Sequence, residues 1–505
     1  MSTKKIVWNM TVNTAGTVVS MLSGLVVMPY LIRTLGSATY GLWILIGTMT
    51  GYFGVLDLGV SVALGRLVAA HRARGEHDQI NRVMSTSFAL LLVAFVLVCA
   101  ATGVVLMIFT RIFSVPSNEL LDVRYALILV GLNLALAFPS YTFAGFLWGH
   151  ERFDLENAVR IPCLIIRAVL SITAVSASMP LMTLGLIVFG VDTLGNLARM
   201  VLCFKLDPDL RLSWNEVRRS KVREIFSIGG WMSLISWSRL LTPQIAPTLI
   251  GMWIGSAAVT TFAVARQLVA YANMFSNTAT QVLAPRAIAA HATESVGAQM
   301  ALFIEGGKFS YALSLFFCGG LFCLGLPFIH WWQHGSQDAA YPLLLVLVLG
   351  ESLPMSQWLT YSVLLGANRQ RSLGLLLLCE AVISLPLMIA FVGRGGLFGV
   401  SMAVALSVFL VRGLFQWLYG CILLKVSLLS YVKRVFVPVT LFAMPPIAAL
   451  YAVTTRVSPE TFRGTFLLGA AYCIIFVAVM TVALVGTSRL RAFVTGIRPD
   501  SAGVR

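Results

Sequence analysis

The sequence ALLLVAFVLVCAATGVVLM occupies residues 89–107 and contains no charged side chain. A helix that crosses the hydrocarbon core of a bilayer needs about 20 predominantly apolar residues, so this stretch predicts a membrane span. Comparable runs recur along the chain, since 58% of its 505 residues are hydrophobic and 11% are charged. Soluble domains contain about 25% charged residues, which excludes a soluble enzyme, a disordered chain and a secreted disulfide scaffold. The continuous apolar runs also disfavour a transmembrane β-barrel, whose strands alternate apolar and polar residues.

Hydropathy predicts about fourteen transmembrane helices and therefore an all-α polytopic membrane protein. The predicted spans cover residues 11–32, 40–62, 86–109, 123–146, 161–178, 181–204, 225–250, 257–282, 308–331, 342–365, 373–391, 397–424, 436–455 and 465–486. With both termini in the cytoplasm, the inside loops contain about four times as many Lys and Arg residues as the outside loops, as the positive-inside rule requires. The net charge of +16 therefore needs no nucleic-acid partner.

The two halves of the chain repeat at an offset of about 220 residues, which indicates a diverged duplication. The matching stretches are Arg66–His71 with Arg286–His291, Leu35–Ala38 with Ile254–Ala257, Pro29–Ile32 with Pro247–Ile250, and Tyr141 with Tyr361. Each copy contains an even number of spans, so the copies have the same orientation and form two parallel-repeat six-helix bundles. We expect an N-terminal bundle (1–204), a cytoplasmic linker (205–224), a C-terminal bundle (225–424), and two extra helices with a cytoplasmic tail (425–505).

Each ionisable side chain inside a span raises the free energy of membrane insertion by about 2.5–3.5 kcal/mol. Such side chains therefore usually face a cavity or a polar partner. The predicted spans contain Asp57, Asp192, Glu351, Glu380, Arg167, Arg199, Arg239, Arg266 and Arg412. Polar residues align on one face of the eighth span, namely Arg266, Asn273, Asn277 and Gln281, and on one face of the fifth, namely Arg160, Arg167 and Ser171. These stripes indicate either a hydrated cavity or contacts between helices, because polar residues also join membrane helices.

A cavity lined by arginine suits an anion, since the guanidinium stays charged and binds phosphate through two hydrogen bonds. The pattern therefore predicts a cargo that carries phosphate or carboxylate. The substrate-binding candidates are Arg167, Arg239, Arg266, Asn273, Asn277 and Trp237. The candidate ion-coupling carboxylates are Asp57, Glu351 and Glu380. Arg412 lies deep in its span, where either Glu380 or Glu351 is placed to neutralise it.

The sequence contains few motifs typical of enzymes, cofactor sites or metal sites. The chain contains no Walker loop, GxSxG or HExxH motif. The eight cysteines lie in apolar runs without a CxxC pair and are predicted to be small buried hydrophobes. His330, His334 and Asp338 share helical spacing, but the adjacent Trp331 and Trp332 favour an interfacial aromatic belt over a zinc site. We expect no cofactor, no metal and no enzymatic activity.

An N-terminal block of motifs resembles the opening of polysaccharide repeat-unit flippases. These are the O-antigen-type, Wzx-like members of the polysaccharide transporter family, within the multidrug/oligosaccharidyl-lipid/polysaccharide exporter superfamily. The block consists of PYLIRTLG (29–36), YGLW (40–43) and LDLG (56–59). Two later stretches are similar to recurrent loops of the same family, namely Gly149–Asp154 with Asn157, and Gly395–Gly399.

The resemblance implies two six-helix bundles around a V-shaped central cavity. It also implies an activity: alternating access would move undecaprenyl-pyrophosphate-linked oligosaccharide units to the outer leaflet of the bacterial inner membrane. Protons, sodium or the membrane potential would reset the carrier. The implied partners are the lipid-linked oligosaccharide, membrane lipid, and a polymerase and chain-length regulator of polysaccharide assembly.

In the related lipid II flippases, cavity arginines hold the pyrophosphate, and Arg66 and Arg266 are the positions here that match by span. The first span has Asn13, Thr17 and Ser20 on its polar face, where the lipid II branch has an arginine. That departure argues against lipid II as the substrate.

Two other classes of protein fit parts of the pattern. A cation-coupled drug or metabolite exporter of the same superfamily would share the fold, but cationic cargo would favour acids over the arginines found here. A membrane-embedded polymerase or acyltransferase would place catalytic residues on a sizeable outer loop. The longest predicted outer loop, residues 110–122, is too short for that purpose.

Overall fold

The computed structural model describes residues 3–175, 179–281, 296–367, 369–456 and 461–485. Within these ranges the chain is predominantly helical and contains no β-strand, which confirms the all-α class. The helices are α1 (Thr3–Gly51), α2 (Val60–Ala73), α3 (His77–Ile112), α4 (Leu120–Gly149), α5 (Phe153–Thr173), α6 (Pro180–Leu206), α7 (Arg219–Trp253), α8 (Ser256–Gln281), α9 (Val296–Trp332), α10 (Ala340–Glu351), α11 (Trp358–Gly366), α12 (Gln370–Val408), α13 (Gln416–Leu423), α14 (Leu428–Tyr431), α15 (Val437–Arg456) and α16 (Phe462–Val485).

In the described part of the chain, 9 helical segments are long and apolar enough to cross a membrane. Two of them, Val12–Asp57 and Gln370–Leu423, contain 46 and 54 residues. Because a helix rises about 1.5 Å per residue and the hydrocarbon core is about 30 Å thick, each is long enough for two crossings. The more polar helices α5, α7 and α8 coincide with three further predicted spans. Every predicted span therefore overlaps a described helix, which confirms the polytopic architecture.

Glycines separate consecutive spans where a regular helix would otherwise continue. Gly36 within α1 has a φ of 80°, and Gly396 within α12 has a φ of 52°. Gly255, between α7 and α8, has a φ of 122°. Residues with a Cβ avoid these conformations, so glycine is required at such turns. The predicted repeat aligns Gly36 with Gly255, and both copies use the aligned glycine for a turn between spans. The repeat match at Arg286–His291 lies outside the described residues.

The chain divides into two compact units, Met1–Ala263 and Val264–Arg505, so the boundary falls inside α8. The first unit contains α1 to α7 together with the first turns of α8, and the second contains the remaining helices. The four-part division proposed from the sequence, with its boundaries at residues 204, 224 and 424, stays a prediction.

A seam of glycines joins α7 to the second half of α1 within the first unit. A Cβ at Gly51 would collide with the Gln244 side chain, and one at Gly251 would collide with the Leu45 side chain. Small residues allow membrane helices to approach this closely, and dispersion contacts and hydrogen bonds then hold them together. The beginning of the second copy therefore packs tightly on the first.

The predicted linker, residues 205–224, lies along the beginning of α3. The Asn81 amide donates to the Asp209 carbonyl at 3.1 Å, and its oxygen accepts from the Arg211 backbone N–H at 3.0 Å. Arg82 Nε donates to Glu216 at 3.1 Å. These contacts fix the linker to the N-terminal helices.

In the second unit, the two extra C-terminal helices α15 and α16 pack against α9. The Tyr472 hydroxyl donates to the Phe316 carbonyl at 3.0 Å, and the two rings stack with their centroids 5.2 Å apart. Helix α12 continues into α13 through a π-helix, Phe409–Phe415. Turns of π-helix are rare and often occur at functional sites, which directs attention to the polar residues around this one.

Candidate functional site

Two span arginines of the first unit are paired with carboxylates. Arg199 on α6 donates from Nε to both oxygens of Glu156 at 3.0 Å. Arg167 on α5 lies 3.8 Å from Asp192, whose other oxygen accepts from the Asn133 amide at 3.1 Å. Both ion pairs connect α5 to α6. The substrate-binding candidate Arg167 therefore has a neighbouring carboxylate that offsets its charge.

Arg160 on α5 has different surroundings, which are neutral. Its Nη2 donates to Asn157 Oδ1 at 2.8 Å, and the Asn157 amide donates to Asn13 Oδ1 at 2.7 Å and to the Phe153 carbonyl at 2.8 Å. Among the described residues, no carboxylate lies within ion-pair distance of Arg160, and its enclosed Nε has no hydrogen-bond partner. The sequence placed Arg160 on the polar face of the fifth span. It was not selected as a candidate because it was counted with the charges of the preceding cytoplasmic loop.

The turn between α4 and α5 positions this part of α5. Arg152 donates to Asp154 at 3.0 Å and 2.9 Å, and these bonds lower the pKa of the Asp154 carboxyl. Arg72 on α2 donates to the His150 carbonyl at 3.0 Å, and burial lowers the pKa of the His150 imidazole. This turn coincides with the stretch 149–154, which is similar to a recurrent loop of the polysaccharide repeat-unit flippases. It positions the N-terminus of α5, the helix that carries Asn157.

The candidates Arg66 on α2 and Arg239 on α7 are exposed. Arg66 has no hydrogen-bond or ion-pair partner among the described residues, so its guanidinium is open to a ligand. The Trp237 Nε1 atom is enclosed and has no hydrogen-bond partner within the described part of the chain. A ring with an unsatisfied indole N–H is a suitable donor toward a bound polar group.

The candidate coupling residue Asp57 ends the short 3-10 helix, Tyr52–Asp57, that precedes α2. Its carboxylate accepts from the Ser61 backbone N–H at 3.3 Å and makes a short contact with the Ser61 hydroxyl. A carboxylate in this position satisfies an unpaired helix N–H and interacts favourably with the helix dipole. Asp57 therefore has a clear local role in starting α2.

The second unit contains a buried ion cluster at the π-helix. Arg412 Nε donates to Glu380 at 2.8 Å, and Arg412 Nη2 donates to Glu351 at 3.2 Å. The Glu380 side chain is 4% exposed and that of Glu351 is 14% exposed. The sequence left open which of the two acids neutralises Arg412, and the structure shows that both contact it. Glu351 Oε2 is enclosed without a hydrogen-bond partner among the described residues.

Of the predicted stripe on α8, Arg266 is partly buried and lies beside this cluster. Arg266 interacts electrostatically with Glu351, Glu380 and Arg412. The Asn273 amide donates to the Val269 carbonyl one turn earlier at 3.4 Å, and Asn277 accepts from Gln281 at 3.3 Å. The two asparagines therefore make local contacts within α8, whereas Arg266 belongs to the charged cluster.

The remaining polar motifs do not assemble a metal centre. His330 Nδ1 lies 2.7 Å from Asp338, and within the described residues no group of three His, Cys, Asp or Glu side chains is placed to hold a metal ion. The cysteines are free thiols. The prediction that all of them are buried is wrong for Cys379 and Cys473, which are exposed. They lie on apolar helix surfaces, where lipid takes the place of a protein core.

The described helices and the charged residues inside them define a helical membrane protein with many spans. The family model described as polysaccharide biosynthesis protein matches residues 6–290. The chain therefore belongs to the polysaccharide biosynthesis protein family, and the family resemblance noted in its sequence is confirmed.

Relatives and solved structures agree with this assignment. A putative O-antigen transporter of Shigella flexneri is 22% identical over 431 residues, which are 82% of this chain and 97% of the relative. The membrane protein EpsK of Bacillus subtilis (strain 168) is 21% identical over 435 residues, covering 85% of this chain and 84% of that protein. The fold is similar to that of the lipid II flippase MurJ in an inward closed conformation, with a TM-score of 0.70, 14% identity, and coverage of 94% and 99% of the two chains. An inward-facing multidrug transporter of the MATE family gives a TM-score of 0.66 at 14% identity, with coverage of 81% and 94%.

Proposed function

We propose that this protein is a flippase that moves undecaprenyl-pyrophosphate-linked oligosaccharide repeat units across the bacterial cytoplasmic membrane by alternating access. The observation that carries the proposal is the match to a putative O-antigen transporter over 97% of that relative's length. The similarity of the fold to a lipid II flippase supports lipid-linked cargo. The product would feed O-antigen, lipopolysaccharide or exopolysaccharide assembly, with a polymerase and a chain-length regulator as partners.

The pyrophosphate is the part of this cargo that arginines recognise. We assign its binding to Arg66, Arg167, Arg239 and Arg266, with Trp237, Asn273 and Asn277 contacting the polar parts of the substrate. Arg66 supports this assignment most directly, because it is exposed and has no partner among the described residues. A guanidinium forms two parallel hydrogen bonds to a phosphate and keeps its charge in the membrane.

The coupling ion acts at the acidic residues, of which Glu351 is the strongest candidate. Arg412 already contacts both Glu351 and Glu380, but Glu351 Oε2 is enclosed and unpaired within the described residues. An enclosed carboxylate oxygen without a donor is a suitable contact for a coupling ion. Asp57 fits this role less well, because its carboxylate holds the start of α2.

The proposed orientation places both termini in the cytoplasm and the protein in the inner membrane. Positive charges on the linker and on the loop after α2 support this orientation through the positive-inside rule. A cargo synthesised on the cytoplasmic face would then enter from the side that carries most of the Lys and Arg residues.

A transfer assay in proteoliposomes tests the proposal. Purified protein is reconstituted with a fluorescent undecaprenyl-pyrophosphate oligosaccharide, and a lectin reports the sugar that reaches the far leaflet. We expect protein-dependent transfer that is abolished in Arg266→Ala and retained in Arg111→Ala, which removes an exposed arginine at the end of α3. Transfer that survives both Arg266→Ala and Arg239→Ala would refute the arginine assignment. Absence of both transfer and binding for the unmodified protein would favour the drug or metabolite exporter.

A further inference from the structure

We propose that Arg160 is a phosphate-binding residue of the N-terminal unit, held ready for an anion in a neutral notch formed by Gly16, Asn13 and Asn157. The proposal rests on the proposed function, because it assigns the pyrophosphate of the lipid-linked cargo to this notch. Its basis is the set of contacts around one guanidinium at the junction of α1 and α5.

The notch exists because α1 has a glycine opposite Arg160. A Cβ at Gly16 would collide with the Arg160 guanidinium and with Asn157. The guanidinium therefore lies directly against the α1 backbone. Asn13, one turn earlier on α1, is exposed, so the edge of the notch is open to an incoming ligand.

Asn157 fixes the guanidinium without neutralising it. Asn157 is 2% exposed, and its amide N–H groups are engaged by Asn13 and Phe153, so its oxygen is oriented toward Arg160. A guanidinium has five N–H donors, and one of those on Arg160 is used in these contacts. Donors therefore remain for a phosphate, which pairs with the planar edge of an arginine.

The two acids closest to Arg160 in the sequence are already paired with other arginines. Glu156, which precedes Asn157 in the sequence, accepts two hydrogen bonds from Arg199 at 3.0 Å. Asp154 is held by Arg152 at 2.9 Å. The positive charge of Arg160 is therefore not offset by these neighbours, and an unneutralised charge in a low-dielectric setting attracts anions strongly.

The depth of Arg160 suits a phosphate carried on a lipid. Helix α5 begins at Phe153, so Arg160 lies about 10 Å further along the helix at about 1.5 Å per residue. The predicted fifth span begins at residue 161, so we expect Arg160 to lie at the border between the headgroup layer and the hydrocarbon. The pyrophosphate of a polyprenyl carrier resides at this level, while its tail stays in the hydrocarbon.

The test measures binding of inorganic pyrophosphate to the full-length protein in phosphatidylcholine nanodiscs by titration calorimetry. We expect Arg160→Gln to weaken binding at least ten-fold and Arg160→Lys to weaken it less, because lysine keeps the charge but loses the two-point geometry. Asn13→Asp retains the hydrogen bond from Asn157 and adds a carboxylate beside the guanidinium, so it should weaken binding as strongly as Arg160→Gln. Arg111→Ala removes an exposed arginine at the end of α3, outside the notch, and should leave binding unchanged. A melting temperature within a few degrees of the unmodified protein shows that each variant is folded.

Several outcomes would overturn the proposal. Pyrophosphate binding that is equal in Arg160→Gln and the unmodified protein would do so, as would absence of binding in the unmodified protein. Equal competition by phosphatidylglycerol nanodiscs would assign the notch to ordinary lipid phosphate and remove the cargo from it. The transfer assay separates this proposal from the proposed function. Transfer that persists unchanged in Arg160→Gln refutes the notch alone, whereas Arg160-dependent binding without any transfer supports the notch and refutes the flippase.

Discussion

Arg160 and Arg412 are both arginines within membrane helices, but they lie in opposite electrostatic surroundings. Arg412 in the C-terminal unit contacts two carboxylates, Glu351 and Glu380, at 3.2 Å and 2.8 Å. Arg160 in the N-terminal unit contacts the neutral Asn157 at 2.8 Å. The comparison shows that an arginine in a span does not by itself identify an anion site. The Arg412 guanidinium is held by two acids and joins the helices that carry them, whereas the Arg160 guanidinium has donors left for a ligand.

Removing Arg412 should have the largest effect on stability. Arg412→Gln removes the cation that donates hydrogen bonds to both Glu351 and Glu380, and breaking a buried ion pair from one side costs about 3–5 kcal/mol. We expect a strong fall in the melting temperature measured by intrinsic fluorescence in detergent. Replacing Glu351 and Glu380 by Gln in the same chain should recover part of the loss, because no carboxylate is then left without Arg412, although the charge of Arg266 remains. A melting temperature close to that of the unmodified protein in Arg412→Gln would contradict the cluster's structural role.

Glu351→Gln should have an intermediate effect on stability and a specific effect on transport. Arg412 keeps Glu380, and loss of one hydrogen bond to a charged group costs about 1.5–3 kcal/mol. If Glu351 takes up the coupling ion, transport should become insensitive to an imposed proton or sodium gradient. The matched control is Glu305→Gln, which alters an exposed acid paired with Lys308 on α9. A gradient response that survives in Glu351→Gln would move coupling to another acid.

Arg160→Gln should have a small effect on stability despite the partial burial of the residue. No carboxylate among the described residues loses its partner, and the glutamine amide keeps an N–H group that can donate to Asn157, so the expected cost is about 1 kcal/mol. The same variant should lose pyrophosphate binding and keep most of its stability, whereas Arg412→Gln should lose stability. Melting curves of both variants, recorded side by side, test the comparison. A destabilisation of Arg160→Gln that equals that of Arg412→Gln would show that Arg160 is structural.

Breaking the partly exposed ion pair Arg152–Asp154 should have the smallest effect on stability. Arg152 lowers the pKa of Asp154, so the pair stabilises the folded state above the ordinary carboxyl pKa of about 3.9, and this contribution is lost as the pH falls through the lowered value. Each side chain is about a third exposed, at 34% and 35%, and surface pairs contribute about 0.2–1 kcal/mol. Asp154→Asn should therefore lower the melting temperature slightly at pH 7 and not at pH 2. A melting-temperature difference that is equal at pH 7 and pH 2 would show that the ion pair is not its source.

Much of the fold could be predicted from the sequence because membrane spans are encoded by local composition. The apolar stretch 89–107 falls within α3, and the motif containing Gly36 marks the break in α1. Both follow from rules that act over a few residues, namely hydrophobic length and the preference of glycine for positive φ.

The candidate site could be predicted only in part because pairing between distant residues is not encoded locally. The charge pattern identified Arg167 and Arg412 as span arginines, but it could not show that Asp192 lies beside the first or that two acids hold the second. Arg160 was overlooked because hydropathy placed it at a span boundary. Its significance depends on Gly16, which is distant in sequence and adjacent in space.

The central claim is that arginines recognise the phosphate of a lipid-linked sugar, and a pair of substrates tests it most directly. The proteoliposome assay is run with one oligosaccharide on two carriers, undecaprenyl pyrophosphate and undecaprenol without phosphate. We expect the unmodified protein to transfer the pyrophosphate-linked sugar at least ten times faster, and Arg160→Gln to reduce that preference. Equal transfer of both carriers would contradict phosphate recognition and show that the sugar or the polyprenyl chain selects the cargo.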